Sequence, residues 1–213
     1  MARVESNETS CKRPYELGKR LEQMGRTKAS VLAAARTQLE TGGMREFSMD
    51  SLARASGVTR QTIHNLFGTR SAVLETLFDQ IATDAGMERM REVMTASDPN
   101  VMLESFIGVF SSFWAKNRLL LKRIHGIAAI DPEFGRAVQA RNQRRQMAAA
   151  RVIDRLENSP SALRQESQAD CAACLVALTS FEFFDSLSES LGSTEAAQER
   201  LPSLIRRALA IHE

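Results

Sequence analysis

Five hydrogen-bonding side chains, Thr59, Arg60, Gln61, His64 and Asn65, fall within one short stretch of the segment SMDSLARASGVTRQTIHNLFGTR, residues 48–70. Two chemistries use such a set. One is catalysis, which needs a nucleophile, a base or a metal-ligand group. The other is nucleic-acid reading, in which arginine bonds guanine and glutamine or asparagine bonds adenine. The rest of the chain offers little for catalysis. His64, His125 and His212 are far apart, and no pair has the i, i+4 spacing of a zinc site. Cys171 and Cys174 have CxxC spacing without a second CxxC or a nearby histidine. On a helix they lie beside Leu175 and Leu178, as two apolar cysteines or as a redox or electrophile-sensing pair. No glycine-rich phosphate loop, GxSxG or HExxH occurs. The expectation is therefore a non-enzyme with no metal and no cofactor.

The elements that must position the polar set can be read from the same segment. Ser48 is suited to cap a first short helix, with Phe47 and Leu52 at the two ends of a hydrophobic staple. Thr59 caps a second helix, where Val58 and Ile63 repeat the staple. Gly57 stands between them, where the chain must turn sharply. Ala53, Val58, Ile63, Leu66 and Phe67 then face inward, and a small residue at 53 lets two helices cross closely. Arg60, Gln61, His64 and Asn65 are left on the outside. This is the pattern of a helix-turn-helix.

The whole chain frames that unit. Its 213 residues are 43% hydrophobic, enough to bury a core. No apolar run reaches the roughly 18–20 residues needed to span a bilayer, and the polar N-terminus has no secretory h-region. Three cysteines without framework spacing point to a reducing, cytoplasmic setting. The net charge of +2 is unevenly spread. Residues 1–70 hold 12 Lys+Arg against 7 Asp+Glu, and residues 71–213 hold 16 against 19. A basic third joined to a slightly acidic remainder suggests an anion-binding head on a different body.

Strand signals are nearly absent and helical spacing recurs, so the fold class is all-α with about nine helices. A short helix is expected over 14–25, in a basic arm (residues 1–25) that carries Lys12, Arg13, Lys19 and Arg20. That arm is either a solvated tail or a phosphate-touching one. The next helix runs from a Thr27 cap to a stop at Gly42-Gly43, its apolar face built from Val31, Leu32, Ala35 and Leu39. Leu74, Leu77, Phe78 and Ile81 continue the spacing after the polar segment. Separate helices follow over 101–117 and 118–126. Asp131-Pro132 is a strong start signal for another, ending near Glu157. The last two helices span about 167–191 and 194–212, with Pro202 expected to kink or split the second. Ser97–Asn100 and Asn158–Ser161 read as loops.

The sequence GVTRQTIHNLFGTRSAVLETLF, preceded by RTKASVLAAARTQLETGGMREFSMDSLARAS, resembles the N-terminal domain of the tetracycline-repressor-like (TetR) transcriptional regulators. The resemblance covers residues 26 to about 78. It implies a DNA-binding domain over 26–72 and a ligand-binding and dimerisation domain over 73–213. By position it places Thr59, Arg60, Gln61, Thr62, His64 and Asn65 in the major groove or at its rim. Thr27 and Lys28, Ser48, and Thr69 and Arg70 would grip the backbone from helix starts. Three positions depart from the family pattern. His64 stands where tyrosine is usual, Arg70 where lysine is usual, and Gln61 where glycine is frequent.

The aromatic residues of the body serve either a core or a pocket between helices. The pocket reading takes Phe106, Phe110, Phe113, Trp114, Phe134, Met147, Cys174 and Phe181. His125, Arg123 and Asn117 would be polar contacts for a small apolar or aromatic effector. Leu175, Leu178, Leu187, Leu191, Leu204, Ile205 and Leu209 give the last two helices apolar stripes. Those stripes would form a homodimer through a four-helix interface and match a palindromic operator in double-stranded DNA. The leading expectation is thus a repressor released by a ligand. Two alternatives remain at this point: a non-specific architectural DNA binder, and a small helical enzyme or ligand carrier.

Overall fold

The computed structural model describes residues 12–41, 47–159 and 167–210. Among these there are ten α-helices and one 3-10 turn, with no strand. They divide into two compact units, one reaching Val73 and the other starting at Leu74. Residues 1–11, the expected stop at Gly42-Gly43, Pro160-Ser161 and His212 lie outside the described residues.

The first unit is built on α1 (Lys12–Thr41), α2 (Met49–Ser56), α3 (Arg60–Phe67) and the start of α4 (Arg70–Asp84). The expected break between a short helix at 14–25 and a Thr27-capped helix is absent. Thr27 sits inside one 30-residue helix, and its Oγ1 donates to the Gln23 carbonyl at 2.9 Å. A hydroxyl that bonds back to residue i−4 continues a helix rather than starting one. Val31, Leu32, Ala35 and Leu39 of α1 are buried with Phe47, Leu52, Ile63 and Val73. The spacing of the α1 set puts all four on one stripe. α1 and α2 are in contact, and α2 packs on α3.

The second unit contains the remainder of α4, a 3-10 turn (Met87–Arg89), α5 (Met90–Val93), α6 (Pro99–Ile130), α7 (Pro132–Glu157), α8 (Gln168–Leu178), α9 (Phe181–Leu191) and α10 (Thr194–Ala208). The expected helices at 101–117 and 118–126 are one helix with a kink. Asn117 has φ −122° and ψ 17°, and its buried Nδ2 donates to the Phe113 carbonyl at 3.1 Å. That bond satisfies a backbone carbonyl where the regular ladder fails. Conversely, 167–191 is two helices. Thr179 ends α8, and Ser180 caps α9 by accepting from the Phe183 N–H at 3.2 Å. Pro202 lies inside α10 and does not split it, since the helix runs from Thr194 to Ala208.

The start expected at Asp131-Pro132 is where α7 begins, whereas the stretch expected to be a loop at 97–100 already holds the start of α6, with Asp98 as its cap and Pro99 and Asn100 in the helix. Asp98 accepts from the Asn100 N–H at 2.8 Å, and Asp131 accepts from Glu133 and Phe134 at 3.1 and 3.2 Å. Each is followed by a proline at the first helical position, which has no N–H to satisfy. A Cβ at Gly135 would meet the Ala128 carbonyl oxygen at 2.7 Å, so only glycine lets the first turn of α7 fold back against the end of α6. α6 packs on α7, α9 and α10, and α7 packs on α8. Arg118 binds Asp185 at 2.6 Å and Arg206 binds Glu104 at 2.6 Å, fixing α9 and α10 to α6. Among the described residues no single helix is long and apolar enough to cross a membrane.

Candidate nucleic-acid interface and body cavity

The turn between α2 and α3 is built from local chemistry. Ser48 Oγ accepts from the Ser51 N–H at 3.1 Å, and Ser51 Oγ accepts from the Ser48 N–H at 3.0 Å, a reciprocal capping box. Phe47 and Leu52 are both buried beside it, as a staple requires. α2 ends at Gly57, whose φ of +69° and ψ of 25° are left-handed. The Val58 N–H then bonds the Ala53 carbonyl at 3.2 Å. The chain re-enters a helix at Thr59, whose Oγ1 accepts from the Thr62 N–H at 3.1 Å. Ile63 is fully buried, and Leu66 and Phe67 are half-buried.

What remains of α3 faces solvent. Thr59, Arg60, Gln61, His64 and Asn65 are exposed, and Thr62 is half-buried. Gln61 and Asn65 are one turn apart, and Gln61 Nε2 donates to Asn65 Oδ1 at 2.8 Å. The pair presents two amides held in one mutual orientation. Arg60 reaches the Asp50 carboxylate at 3.4 Å across solvent, a weak tether for an exposed pair.

The backbone-gripping set divides. Ser48 and Thr59 stand at helix starts, and Thr69 Oγ1 accepts from the Ala72 N–H at 3.1 Å at the start of α4. Arg70 is half-buried and donates to the Phe47 carbonyl at 3.4 Å, which joins the α4 start to the α2 entry. Lys28 is exposed on α1, with Nζ 5.8 Å from the centre of the Phe67 ring. Thr27 and Lys28 do not mark a helix start, so no free helix-terminal N–H groups accompany them.

The second unit holds a cavity of about 310 Å³. Phe110, Phe113, Trp114 and His125 line it, as the sequence reading expects. Phe106 and Phe134 do not; both are fully buried in the core, where their ring faces are spent on packing. Met147 is 66% exposed on the outer side of α7. Cys174 and Phe181 are absent from the lining. Phe181 stands behind it, 5.7 Å from Trp114 and 4.8 Å from His125 between ring centres. Asn117 is consumed by the kink of α6, and Arg123 is not a lining residue.

Sequence reasoning missed Phe78, Met87 and Met90, which follow the polar segment, and three arginines of α7. Arg141 and Arg145 line the cavity with Val138, and Arg144 lines it with its side chain exposed. The signal was present. Phe134, Val138, Arg145, Ala149 and Val152 form the buried row of α7, and an arginine occupies an apolar position in it. Arg141 pairs with Asp79. His125 Nδ1 lies 2.8 Å from Glu182 Oε1, and that hydrogen bond holds the Glu182 carboxyl well down, at about 2.

Residues 31–77 match the family model described as bacterial regulatory proteins, tetR family. Over those residues the chain carries the sequence pattern of that family's N-terminal domain. The HTH-type transcriptional regulator EthR of Mycolicibacterium smegmatis is 31% identical over 108 residues, 50% of this chain and 49% of that protein. The HTH-type transcriptional regulator AlkX of Mycobacterium tuberculosis is 33% identical over 108 residues, 48% of this chain and 49% of that protein. The chain thus spans about half the length of these curated relatives. A tetR-family crystal structure from Rhodococcus sp. superposes with a TM-score of 0.69 at 17% identity, covering 86% of this chain and 99% of that one. At that identity the likeness extends the tetR fold, though nothing finer, into the second unit.

The apolar stripes of the C-terminal helices are largely internal. Leu175, Ile205 and Leu209 are buried within the single chain. Leu178, Leu187 and Leu204 are half-buried and Leu191 is 44% exposed, leaving a smaller surface than the sequence pattern suggests.

Proposed function

We propose that this chain is a tetR-family protein and a sequence-specific, homodimeric DNA-binding regulator of transcription, a repressor released by a small molecule. The observation that carries the reading is the outer face of α3. Its inward residues are committed to packing and its ends are capped from within, yet Arg60, Gln61, His64 and Asn65 stand in solvent. The contacts of that face, Arg60 with Asp50 and Gln61 with Asn65, are exposed and weak, and its donors and acceptors match base edges in a major groove. Ser48, Thr59 and Thr69 bring helix starts, and Lys28 and Arg70 bring charge, for the phosphates. Thr62 supports the cap of α3 and lies at the rim.

Two copies would read a palindrome, with Leu178, Leu187, Leu191 and Leu204 contributing to the contact between them. The cavity of the second unit takes the effector. It acts by binding one conformation better than another, and it can shift the balance only by that difference in affinity. Acting on the chromosome places the protein in the cytoplasm, and no catalytic step is assigned to it.

Selection from a pool of random duplexes tests the reading. An enriched inverted repeat is the expected outcome. A pool that remains random after repeated rounds would favour architectural binding and remove sequence-specific regulation.

A further inference from the structure

Arg145 is an unusual residue to find in the core of a helical body. It is 7% exposed and occupies a position in the apolar row of α7. One amino group is accounted for. Nη1 donates to the Val176 carbonyl at 2.5 Å and to Thr179 Oγ1 at 3.1 Å, both at the C-terminal end of α8, where unpaired carbonyls favour a cation. Nε is buried and has no hydrogen-bond partner. Arg145 makes no salt bridge among the described residues. Its guanidinium carbon lies 6.0 Å from the centre of the Phe110 ring. Burial lowers its pKa from the ordinary value, and Glu182 opposes that only in part.

A buried guanidinium without a carboxylate is costly unless something else supplies the countercharge. The two nearby acids are already committed, Asp79 to Arg141 and Glu182 to His125. Glu182 is moreover 68% exposed, so water screens much of its charge. The cavity wall therefore carries three arginines, Arg141, Arg144 and Arg145, against one lining carboxylate, Asp79. Apart from Asn142 and His125, the rest of the wall is apolar, with Phe110, Phe113, Trp114, Met87 and Met90. A wall that is mostly apolar and carries three arginines from α7 suits a molecule that joins an apolar body to an anionic group.

We propose that the cavity binds an amphipathic organic anion, a carboxylate on an aliphatic or aromatic body, with the carboxylate against Arg145 and the body among Phe110, Phe113 and Trp114. The proposal sharpens the apolar effector expected from the sequence, and it rests on the reading of the body as a ligand-sensing unit. Arginine presents a planar fork of donors that a carboxylate accepts in pairs, whereas an alcohol satisfies one donor and an ammonium none. Trp114 lies in the wall with its Nε1 fixed to the Thr179 carbonyl at 3.1 Å, the same residue that holds Arg145. Occupancy at the arginine should therefore change the emission of the single tryptophan.

The test uses the full chain without DNA and three probes of equal length: octanoate, 1-octanol and octylammonium. Each is titrated by Trp114 fluorescence and by calorimetry against the wild type, Arg145→Met and Arg145→Lys. Octanoate is expected to bind the wild type at least about tenfold more tightly than either other probe. Arg145→Met should lose that preference while keeping its affinity for octanol, and Arg145→Lys should retain part of it. Equal affinities for the three probes, a preference for octylammonium, or no octanoate binding at millimolar concentration would overturn the proposal. If Arg145→Met fails to fold, the comparison on the wild type still decides. DNA binding is scored separately on selected duplexes. Octanoate binding in a protein that selects no duplex would support the anion site and sink the regulator. Sequence-selective DNA binding without octanoate binding would do the reverse.

Discussion

Removing the amides of Gln61 and Asn65 is the sharpest perturbation of the proposed reading face. Each side chain is exposed, so its loss leaves no cavity and no orphaned buried group. The bond between them, Gln61 Nε2 to Asn65 Oδ1 at 2.8 Å, lies one helical turn apart on the surface. Such a pair stabilises a helix by about 0.2–0.5 kcal/mol, so neither Gln61→Ala nor Asn65→Ala should change unfolding free energy by more than that. On the preferred duplex the expectation is different. Losing a base contact costs roughly 1–3 kcal/mol, about 5- to 150-fold in Kd. The two losses should not add. Each amide orients the other, so the double variant should fall short of the sum by at least about 0.5 kcal/mol. Fluorescence anisotropy at one fixed salt concentration, on the preferred duplex and on variants at each base position, measures all four proteins. Selectivity should relax at one position per mutation. Parent-like binding of every duplex by both single variants would refute the assignment of α3 as the reading helix. Full additivity would refute the coupling.

Arg70→Ala should weaken binding to all duplexes alike and lower the slope of log K against log salt by about one, read from titrations at several ionic strengths. An unchanged slope would leave Arg70 as only a bridge to the Phe47 carbonyl. Gly57→Ala should cost about 1–2 kcal/mol in denaturant unfolding, because φ is +69° while an added Cβ would meet nothing within 4 Å; the cost is purely one of backbone conformation. Gly57→Asn should cost less, and equal costs would point to a clash instead. Glu182 has its carboxyl lowered from 4.5 to about 2 by the hydrogen bond with His125. Its contribution to stability is therefore complete above pH 4.5 and lost as pH falls toward 2. The carboxylate is largely exposed, so the amount is small, at most about 1 kcal/mol. Glu182→Gln should flatten the acid limb of the stability curve in that window, and an unaltered limb would remove the pair from the balance.

How much of this was legible in the sequence follows from the range of each interaction. Ser48, Gly57 and Thr59 act on backbone groups within a few residues, so their types and spacing disclose the turn and leave the α3 outer face by elimination. Asp98-Pro99 and Asp131-Pro132 are equally local, although only the second was singled out as a start. Thr27 misled because a threonine before a basic, apolar-periodic run resembles a cap, and only the bond to Gln23 shows which role the hydroxyl takes. The kink at Asn117 and the break at Thr179 depend on where side chains find carbonyls, which periodicity does not carry. The cavity was partly legible. Phe110, Phe113, Trp114 and His125 line it, but an aromatic on a buried stripe can equally fill the core, as Phe106 and Phe134 do. Met147 fell on the opposite side of its helix. Arg145 went unnoticed because charged residues are ordinarily assigned to solvent, though its register with Val138 and Ala149 placed it inside.

The central claim is that the exposed face of α3 reads a sequence, and the specificity ratio tests it most directly. The wild-type protein is titrated against its enriched duplex and against a duplex of the same composition in scrambled order, both at physiological salt. A ratio of Kd values of about 10³ or more is predicted, the range of specific over non-specific binding. Two affinities within about tenfold of each other would mean that phosphates alone are recognised, and would contradict the account.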